Sequence, residues 1–247
     1  MIATVTQLFH YPVKSMRGQS IQEARLGWHG FTGDRRFAFT RTGNTSGLPF
    51  LSARECPGII LYQAAFIDPE HPDRSPIAVT TPSGQILPLD SPQLVQELEA
   101  LYGGRIHLSQ LWRGTFDSMD VSLISGNAII STSAAVGQPL EVERFRPNIV
   151  VTSMETKAYP EDKWVGELLI FGERQDSARI RANRKDLRCT IVNLDPSTAE
   201  RSPDVLREIA RNRRNLLGVY GSAERTGTIK VGDTVFLRQS NPIQQHT

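Results

Sequence analysis

The sequence predicts a mainly β protein with a few helices, an α+β fold built from β-barrels rather than a doubly wound sheet. Three observations support this fold class. Short runs of β-forming residues follow one another at close spacing, Gly, Pro and Asn residues separate them, and only two segments have clear helical periodicity. Strands that are not alternated with crossover helices are typical of barrels.

The first half of the chain begins with a strand around Val5, Leu8 and Phe9. Further strands are predicted at 37–39 and 59–62, and 77–80 with 85–89 forms a hairpin across a Pro-Ser-Gly turn. Ser91 is a good helix N-cap with Pro92 in the first turn, so a helix begins there and ends at Gly103-Gly104.

After Trp112 the composition becomes looser, so we place a boundary there. Residues 1–112 form an N-terminal β-barrel-like domain, and residues 113–247 form a second β-barrel domain. In the second domain we expect strands at 148–151, 168–171, 178–182, 190–192 and 218–222, and a hairpin over 228–237. A helix begins at Ser202-Pro203, whereas residues 121–130 fit a helix or a strand equally well.

The bulk composition excludes several classes of function. The formal charge of +2, from 28 basic and 26 acidic residues, gives no overall attraction to nucleic acid or to a membrane surface. No run approaches the roughly 20 apolar residues that span a bilayer, and the first residues lack the basic start of a signal peptide. Two cysteines, Cys56 and Cys189, make neither a disulfide framework nor an iron–sulfur site, so we expect a reduced, cytoplasmic protein. A single disulfide between them stays open at the level of sequence.

The strongest candidate for chemistry is Cys189, which follows Arg188 in an Arg-rich loop just before Leu194-Asp195-Pro196. Residues 181–188 contain four cations and one acid, Asp186. Nearby cations favour the thiolate, which is the form that binds soft metals. An inert, buried cysteine in a strand fits the local sequence equally well.

A second candidate is the run from Arg144 to Val151, where two arginines and Asn148 precede a buried strand. The planar guanidinium of Arg146 suits a phosphate, and Asn148 can both donate and accept hydrogen bonds. The structural alternative is a salt bridge from Arg146 to Glu141 or Glu143.

The N-terminal half adds further groups that suit an anion. Lys14 and Ser15 follow a strand, Arg36 begins another, and Ser52 with Arg54 supplies a hydroxyl and a guanidinium. Because no Gly-rich phosphate loop or dinucleotide motif is present, side chains would hold such an anion. The sequence also lacks HExxH and G-x-S-x-G motifs. Asp195 is best explained as a turn residue, with a role near a metal as the alternative.

In this order, these motifs resemble the MOSC superfamily, named for the C-terminal domain of molybdenum-cofactor sulfurase. More closely, the chain resembles two-part proteins in which an N-terminal β-barrel domain precedes the MOSC domain, a group that includes the mitochondrial amidoxime-reducing component and bacterial relatives. The resemblance covers nearly the whole chain and rests on residues 11–15, 33–37, 52–54, 144–151, 164–169, 188–196 and 227–233.

The resemblance implies a molybdenum cofactor (molybdopterin) with Cys189 as metal ligand and catalytic residue. It further implies that the pterin and its phosphate are held by Lys14, Ser15, Arg36, Ser52, Arg54, Arg146, Asn148 and Arg188. The implied activity is an oxidoreductase that reduces small N-hydroxylated compounds. Asp186 stands where some relatives carry a second cysteine, and no ferredoxin domain follows, so we expect a separate ferredoxin- or flavin-type electron donor.

Two alternatives stay open at the level of sequence. The protein could be a non-redox cofactor carrier or sulfur-transfer protein, in which Cys189 holds a persulfide or the cofactor. It could also be a degenerate barrel that binds another phosphorylated small molecule.

Overall fold

The computed structural model describes residues 1–115 and 118–238. Within these residues the chain forms sixteen strands. In chain order they are β1 (Ala3–His10), β2 (Gln19–Ile21), β3 (Glu23–Gly27), β4 (Gly30–Phe31), β5 (Phe37–Arg41), β6 (Gln63–Phe66), β7 (Ile77–Thr80), β8 (Ile86–Pro88), β9 (Ile106–Gln110), β10 (Val121–Ser125), β11 (Ile149–Ser153), β12 (Leu168–Phe171), β13 (Arg179–Leu187), β14 (Leu216–Arg225), β15 (Gly227–Lys230) and β16 (Thr234–Arg238).

The described residues contain three α-helices and four short 3-10 helices. The α-helices are α1 (Pro92–Tyr102), α2 (Gly126–Val136) and α3 (Pro203–Arg213). The 3-10 helices are Pro57–Leu61, Val142–Phe145, Pro160–Trp164 and Thr190–Asn193. The prediction of a mainly β protein with a few helices is therefore confirmed. No helix in this part of the chain combines the length and the apolar character needed to cross a membrane.

Seven strands close into a barrel in the order β11-β10-β14-β13-β12-β16-β1, because β1 also pairs with β11. All neighbours are antiparallel except β10 and β11, which run parallel. Alternating apolar side chains fill the interior, among them Val5, Phe171 and Val219, all at most 2% exposed. Closure leaves no unpaired edge between β1 and β11.

The N-terminal residues contribute to this barrel directly. Strand β1 lies between β11 on one side and both β16 and β2 on the other. Strand β3 pairs with β15, which follows β14 late in the chain. The division of the chain at residue 112 stays a prediction. The strands β1 and β3 before it pair with the strands β11, β16 and β15 after it.

The segment from β5 to β9 builds a second core. Here β5 pairs with β9, and β6, β7 and β8 form a small antiparallel sheet against which α1 lies. Helix α1 begins where the sequence predicts, since Ser91 accepts a hydrogen bond from the backbone N–H of Leu94 and the left-handed Gly103 ends it. The 77–89 hairpin is also confirmed.

A third apolar cluster lies under α2 and α3 and includes Phe9, Phe145 and Val192. Phe145 ends the 3-10 helix before Arg146, and Val192 lies in the 3-10 helix after Cys189. This cluster therefore fixes the two segments that carry the main candidate residues.

Four local predictions are wrong. Residues 59–61 and 190–192 lie in 3-10 helices rather than strands. Residues 228–237 do not form a hairpin, because β15 pairs with β3 while β16 pairs with β12 and β1. Residues 183–187, predicted as part of a loop, instead continue the predicted 178–182 strand, because β13 extends to Leu187 and is held by β14.

A basic cavity as the candidate functional site

A cavity of about 820 Å³ lies between the barrel and the N-terminal segments. Among the described residues that line it, eight are basic and one, Asp186, is acidic. Such an excess of one sign of charge in a concave site favours an anionic ligand. The basic residues are Lys14, Arg35, Arg54, Arg144, Arg146, Arg184, Lys185 and Arg188.

Most of the residues predicted to form the site line this one cavity, although they are far apart in sequence. They are Lys14, Ser15, Arg54, Arg146, Asn148, Arg188 and Cys189. Ser52 lines an adjoining cavity of about 530 Å³ that shares Lys14, Leu48 and Arg54 with the first. Arg36 is not among the lining residues, and its Nε donates to the carbonyl of Leu111 at 2.7 Å.

Cys189 lies between the end of β13 and the 3-10 helix Thr190–Asn193. Its side chain lines the cavity, and the residue is partly exposed. The other cysteine, Cys56, is buried in the apolar core beside α1, and burial raises the pKa of its thiol. Both cysteines are free. Of these two thiols, that of Cys189 can therefore meet a ligand in the cavity.

Arg188 is anchored at three points. Its Nε donates to the carbonyl of Leu217 and its Nη1 to that of Phe145, both at 2.7 Å. Nη1 also lies 2.9 Å from the carboxylate of Asp186, which is itself buried. The remaining nitrogen, Nη2, is buried and has no hydrogen-bond partner within the part of the chain described. Arg188 thus fixes the residue next to Cys189 and keeps one unused donor.

Asp186 is buried under the cavity and accepts a hydrogen bond from the hydroxyl of Ser122 at 3.1 Å. Burial raises the pKa of this carboxyl group, and the attraction of Arg188 offsets the shift only in part. Asp186 is therefore the carboxylate partner of the Arg188 guanidinium. A cysteine at this position would not provide a carboxylate for that pair.

Arg144 is a buried guanidinium in the predicted Arg144–Val151 run, although the sequence assigned the ligand contacts of that run to Arg146 and Asn148. Its Nε contacts Glu141 at 3.0 Å and its Nη2 contacts Asp195 at 2.9 Å, while Nη1 has no partner among the described residues. Asp195 also accepts the backbone N–H groups of Ser197 and Thr198. Partial burial tends to raise the pKa of Asp195, but these donors and Arg144 outweigh it and lower the pKa. Asp195 is thus both the expected turn residue and the partner of a cavity arginine.

Arg35 and Arg146 lie over the ring of Tyr11, each with its Cζ 4.5 Å from the ring centroid. Both residues adopt left-handed backbone conformations, with φ of 50° and 49°. Arg146 also donates to the carbonyl of Met16 at 2.8 Å. Burial raises the pKa of Tyr11 well above its usual value despite the two cations, so its phenol stays protonated. Stacking and backbone contacts hold both guanidiniums in place.

Asn148 and Asp34 connect the N-terminal segment to the barrel. The side-chain nitrogen of Asn148 donates to Asp34 at 3.1 Å, and its oxygen accepts from the backbone N–H of Ser122 at 3.2 Å. Asp34 also accepts the backbone N–H of Tyr11 at 2.7 Å. In the structure Asn148 is thus a buried crosslink that also lines the cavity.

Lys14 and Ser15 join the cavity from the other side. Lys14 Nζ donates to the carbonyl of Thr115 at 3.2 Å, and Ser15 Oγ accepts the backbone N–H of Ala53 at 3.2 Å. The hydroxyl of Ser15 therefore ties its loop to the segment that carries Ser52 and Arg54.

Two family models together cover almost the whole chain. The MOSC domain matches residues 105–236, and the MOSC N-terminal beta barrel domain matches residues 2–101. The chain belongs to the MOSC family. The two matches confirm the predicted resemblance to MOSC proteins with an N-terminal β-barrel domain. They also confirm the predicted fold class, a mainly β chain built from an N-terminal barrel domain and a MOSC barrel domain.

Characterised relatives align with nearly the whole of this MOSC protein, at low sequence identity. "Mitochondrial amidoxime reducing component 2" of Macaca fascicularis is 26% identical over 95% of the chain and 83% of its own length. "Mitochondrial amidoxime-reducing component 1" of Homo sapiens is 23% identical over 96% of the chain and 83% of its own length. Among solved structures, the YUAD protein of Bacillus subtilis aligns over 98% of both chains with a TM-score of 0.54 and 15% identity, which shows a shared fold.

In the part of the MOSC protein that the structure describes, the side chains that could bind a bare metal ion do not come together in groups. Among the described residues, no cluster of three or more His, Cys, Asp or Glu side chains could hold one. Cys189 alone offers a single thiolate. A metal bound at Cys189 would therefore need further ligands from a cofactor, and the basic cavity has the charge to hold an anionic one.

Proposed function

We propose that the protein binds the molybdenum cofactor, molybdopterin, in the basic cavity and that Cys189 is the protein ligand of the molybdenum. One observation carries this proposal: a partly exposed cysteine and eight cations from distant parts of the chain line the same 820 Å³ space. Soft thiolate ligands suit such a metal, and guanidinium groups suit the phosphate of the cofactor.

The residues present fit this anionic group. Two buried guanidinium nitrogens of cavity residues, Nη2 of Arg188 and Nη1 of Arg144, lack partners within the described residues. Buried donors are rarely left unpaired, so these atoms are available for ligand oxygens. Lys14, Arg54 and Arg146 would bind the phosphate, with Ser15, Ser52 and Asn148 beside them. Arg36 would not contact the cofactor directly, since it does not line the cavity and its Nε donates to the carbonyl of Leu111.

When bound, the cofactor would supply two-electron chemistry at the metal. The protein's own contribution is positioning. The three anchors of Arg188 fix the backbone that carries Cys189. The guanidinium groups of Arg35, which is paired with Asp34, and of Arg146 are held over the ring of Tyr11. Because these guanidinium groups are already fixed in position, they need not reorient when negative charge develops on a bound ligand.

We further propose that the substrate is a small N-hydroxylated compound, which the protein reduces with electrons from a separate ferredoxin- or flavin-type donor. The relatives are named for amidoxime reduction, which supports this substrate class. The cavity volume of about 820 Å³ lies in the range typical of small-molecule sites. The two cysteines of the chain are too few to hold an iron–sulfur cluster.

Cofactor loading tests the proposal. The protein is purified from a host that makes molybdopterin, and molybdenum and released pterin are quantified for wild type, Cys189→Ala and Cys56→Ala. We expect near-stoichiometric metal in wild type and in the Cys56 control, and at least ten-fold less in Cys189→Ala. Equal metal in all three proteins would remove Cys189 as a ligand.

Turnover separates the oxidoreductase from a carrier. Loaded wild-type protein is mixed with an N-hydroxylated amidine and a chemical electron donor such as reduced methyl viologen. We expect the amidine to form in wild type and not in Cys189→Ala. A fully loaded protein that never reduces the substrate, but transfers its cofactor or a cysteine-bound sulfur to another enzyme, would favour the carrier function.

A further inference from the structure

A second basic pocket lies apart from the Cys189 cavity and shares none of its lining residues. Its volume is about 300 Å³, and it lies where strands β12, β13, β14 and β16 of the barrel meet. Its lining residues are Ile170, Gly172, Glu173, Arg174, Ser177, Arg179, Arg225 and Phe236. The proposed function makes no use of this pocket.

Two of its arginines face each other across the sheet. Arg179 of β13 and Arg225 of β14 are direct partners in the antiparallel register. Like charges at such positions repel each other and destabilise the pair. Arg225 donates to the carbonyl of Gln175, yet within residues 1–115 and 118–238 neither arginine forms a salt bridge with a carboxylate. An anion placed between Arg179 and Arg225 would offset their repulsion, because it would attract both guanidinium groups.

Three buried polar atoms of the pocket residues lack hydrogen-bond partners among the described residues, and one of them, Nε of Arg174, lies 3.4 Å from the carboxylate of Asp176. The hydroxyl of Ser177, a residue only 3% exposed, has no hydrogen bond with any described residue, and neither does Nε of Arg179. Buried donors nearly always find a partner. One hydroxyl and one guanidinium edge on the same pocket therefore provide a matched set of donors for an oxyanion.

The third arginine, Arg174, is part of the wall. It donates to Asp233 at 2.8 Å and to the carbonyl of Thr228 at 3.0 Å. Gly172 makes room for it, since a Cβ there would lie 2.9 Å from Arg174 Nη1. Asp176 also contacts Arg174, and Glu173 is an exposed carboxylate at the rim. The charge of Arg174 is thus balanced by Asp233 and Asp176, although its Nε makes no hydrogen bond within the described residues. Arg179 and Arg225 are therefore the arginines of this pocket that could bind an anion.

We propose that this pocket binds the phosphate group of a small phosphorylated compound. Arg179 and Arg225 grip the phosphate oxygens with their planar guanidinium groups, and Ser177 donates its hydroxyl. The partly buried side chains of Ile170 and Phe236 receive an apolar or aromatic part of the same compound. The site stands independently of the function proposed for the Cys189 cavity.

The test is an amide NMR titration of the full chain with inorganic phosphate and with phenyl phosphate, at ionic strength held constant with chloride. We expect saturable shifts at residues 177–179 and 225, with phenyl phosphate at least three-fold tighter than phosphate. Arg179→Gln and Arg225→Gln should each weaken binding at least ten-fold, whereas Arg211→Gln on the exposed face of α3 should leave it unchanged. Amide positions separate this site from any phosphate bound near Cys189.

Equal affinities in wild type and both glutamine variants, or shifts that chloride alone reproduces, would overturn the site. Equal affinities for the two phosphates would overturn the apolar subsite. In phosphate-free buffer Arg179→Gln should melt no lower than wild type, because it removes a repulsion. If the arginine variants fail to fold, Ser177→Ala provides the test. If Ser177 donates to a bound phosphate, this variant should bind phosphate several-fold more weakly than wild type, and an unchanged affinity would overturn the site.

Discussion

At the scale of single residues, the site depends on charged groups that are buried and held by several partners. Arg188 and Asp186 are the main example, with side chains 6% and 2% exposed and a contact of 2.9 Å. Removing one member of such a pair leaves the other buried without compensation, which costs more than the pair itself contributes.

We therefore expect Arg188→Met to lower the free energy of unfolding by about 3 kcal/mol, as for other broken buried ion pairs. The loss of the anchors at Phe145 and Leu217 adds to the uncompensated charge of Asp186. Urea unfolding measures the effect, with the exposed Arg211→Met as control. The double variant with Asp186→Asn should recover part of the loss. An Arg188→Met protein as stable as its control would contradict this view of the site.

A second residue prediction concerns Glu161, which is fully buried and accepts hydrogen bonds from the hydroxyl of Ser125 at 2.5 Å and its backbone N–H at 3.3 Å. Burial raises the pKa of Glu161, and these hydrogen bonds lower it only in part. The folded protein thus binds the proton more tightly than the unfolded chain, whose glutamate has a pKa of about 4.3.

The resulting stability is present below the unfolded pKa and is lost as the pH rises through the folded pKa. Unfolding free energies of wild type and Glu161→Gln, measured from pH 4 to 8, should therefore diverge in favour of the variant as pH rises. The exposed Glu200→Gln serves as control. A difference between wild type and Glu161→Gln that stays constant across this range would contradict the raised pKa.

The sequence predicted part of the site at this scale. Charge density around Arg188-Cys189 and the Arg-Pro-Asn run identified residues that line one cavity. Arg35 was missed because alternation alone does not say which of two adjacent arginines turns inward. The unpartnered donor of Arg144 was missed because it depends on Asp195, which is 51 residues away.

At the scale of elements, close approach between β10 and β14 sets the position of Arg188. Gly218 in β14 has φ of +78°, and a Cβ there would lie 2.8 Å from the carbonyl oxygen of Leu123 and 3.0 Å from Arg188 Nη2. This glycine gives the guanidinium the space it occupies beside the sheet.

We expect Gly218→Ala to lower the free energy of unfolding by about 3 kcal/mol, the sum of the left-handed backbone and the steric overlap. Gly43 is a matched control, because it has the same φ of +78° and nothing within 4 Å of an added Cβ. Gly43→Ala should therefore cost only about 1–2 kcal/mol for the backbone. Equal losses in urea unfolding would show that the space beside Arg188 is not needed.

Elements with strong local signals were predictable, and elements set by distant pairing were not. The Ser91-Pro92 start of α1 and the 77–89 hairpin depend on local turn and cap chemistry. Residues 121–130 resisted assignment because they contain both β10 and the start of α2. Residues 190–192 are β-branched, as is typical of a strand, yet Val192 packs in the third apolar cluster and the segment forms a 3-10 helix.

At the scale of the whole molecule, β1 closes the barrel against β11 although well over a hundred residues separate the two strands. Sequence patterns predict that strands exist, but not which of them pair over such distances. This closure brings Lys14 and Ser15, which follow β1, to the same cavity as Cys189, which follows β13. The account therefore requires that one ligand contacts both halves of the chain.

X-ray absorption at the molybdenum edge of the loaded protein tests this most directly, because it counts the sulfur atoms bound to the metal. We expect the two dithiolene sulfurs plus one cysteine sulfur in wild type and in Cys56→Ala. In Cys189→Ala, any residual metal should have one sulfur fewer, and Lys14→Gln should lower loading without changing that count. An unchanged sulfur count in Cys189→Ala would contradict the central claim.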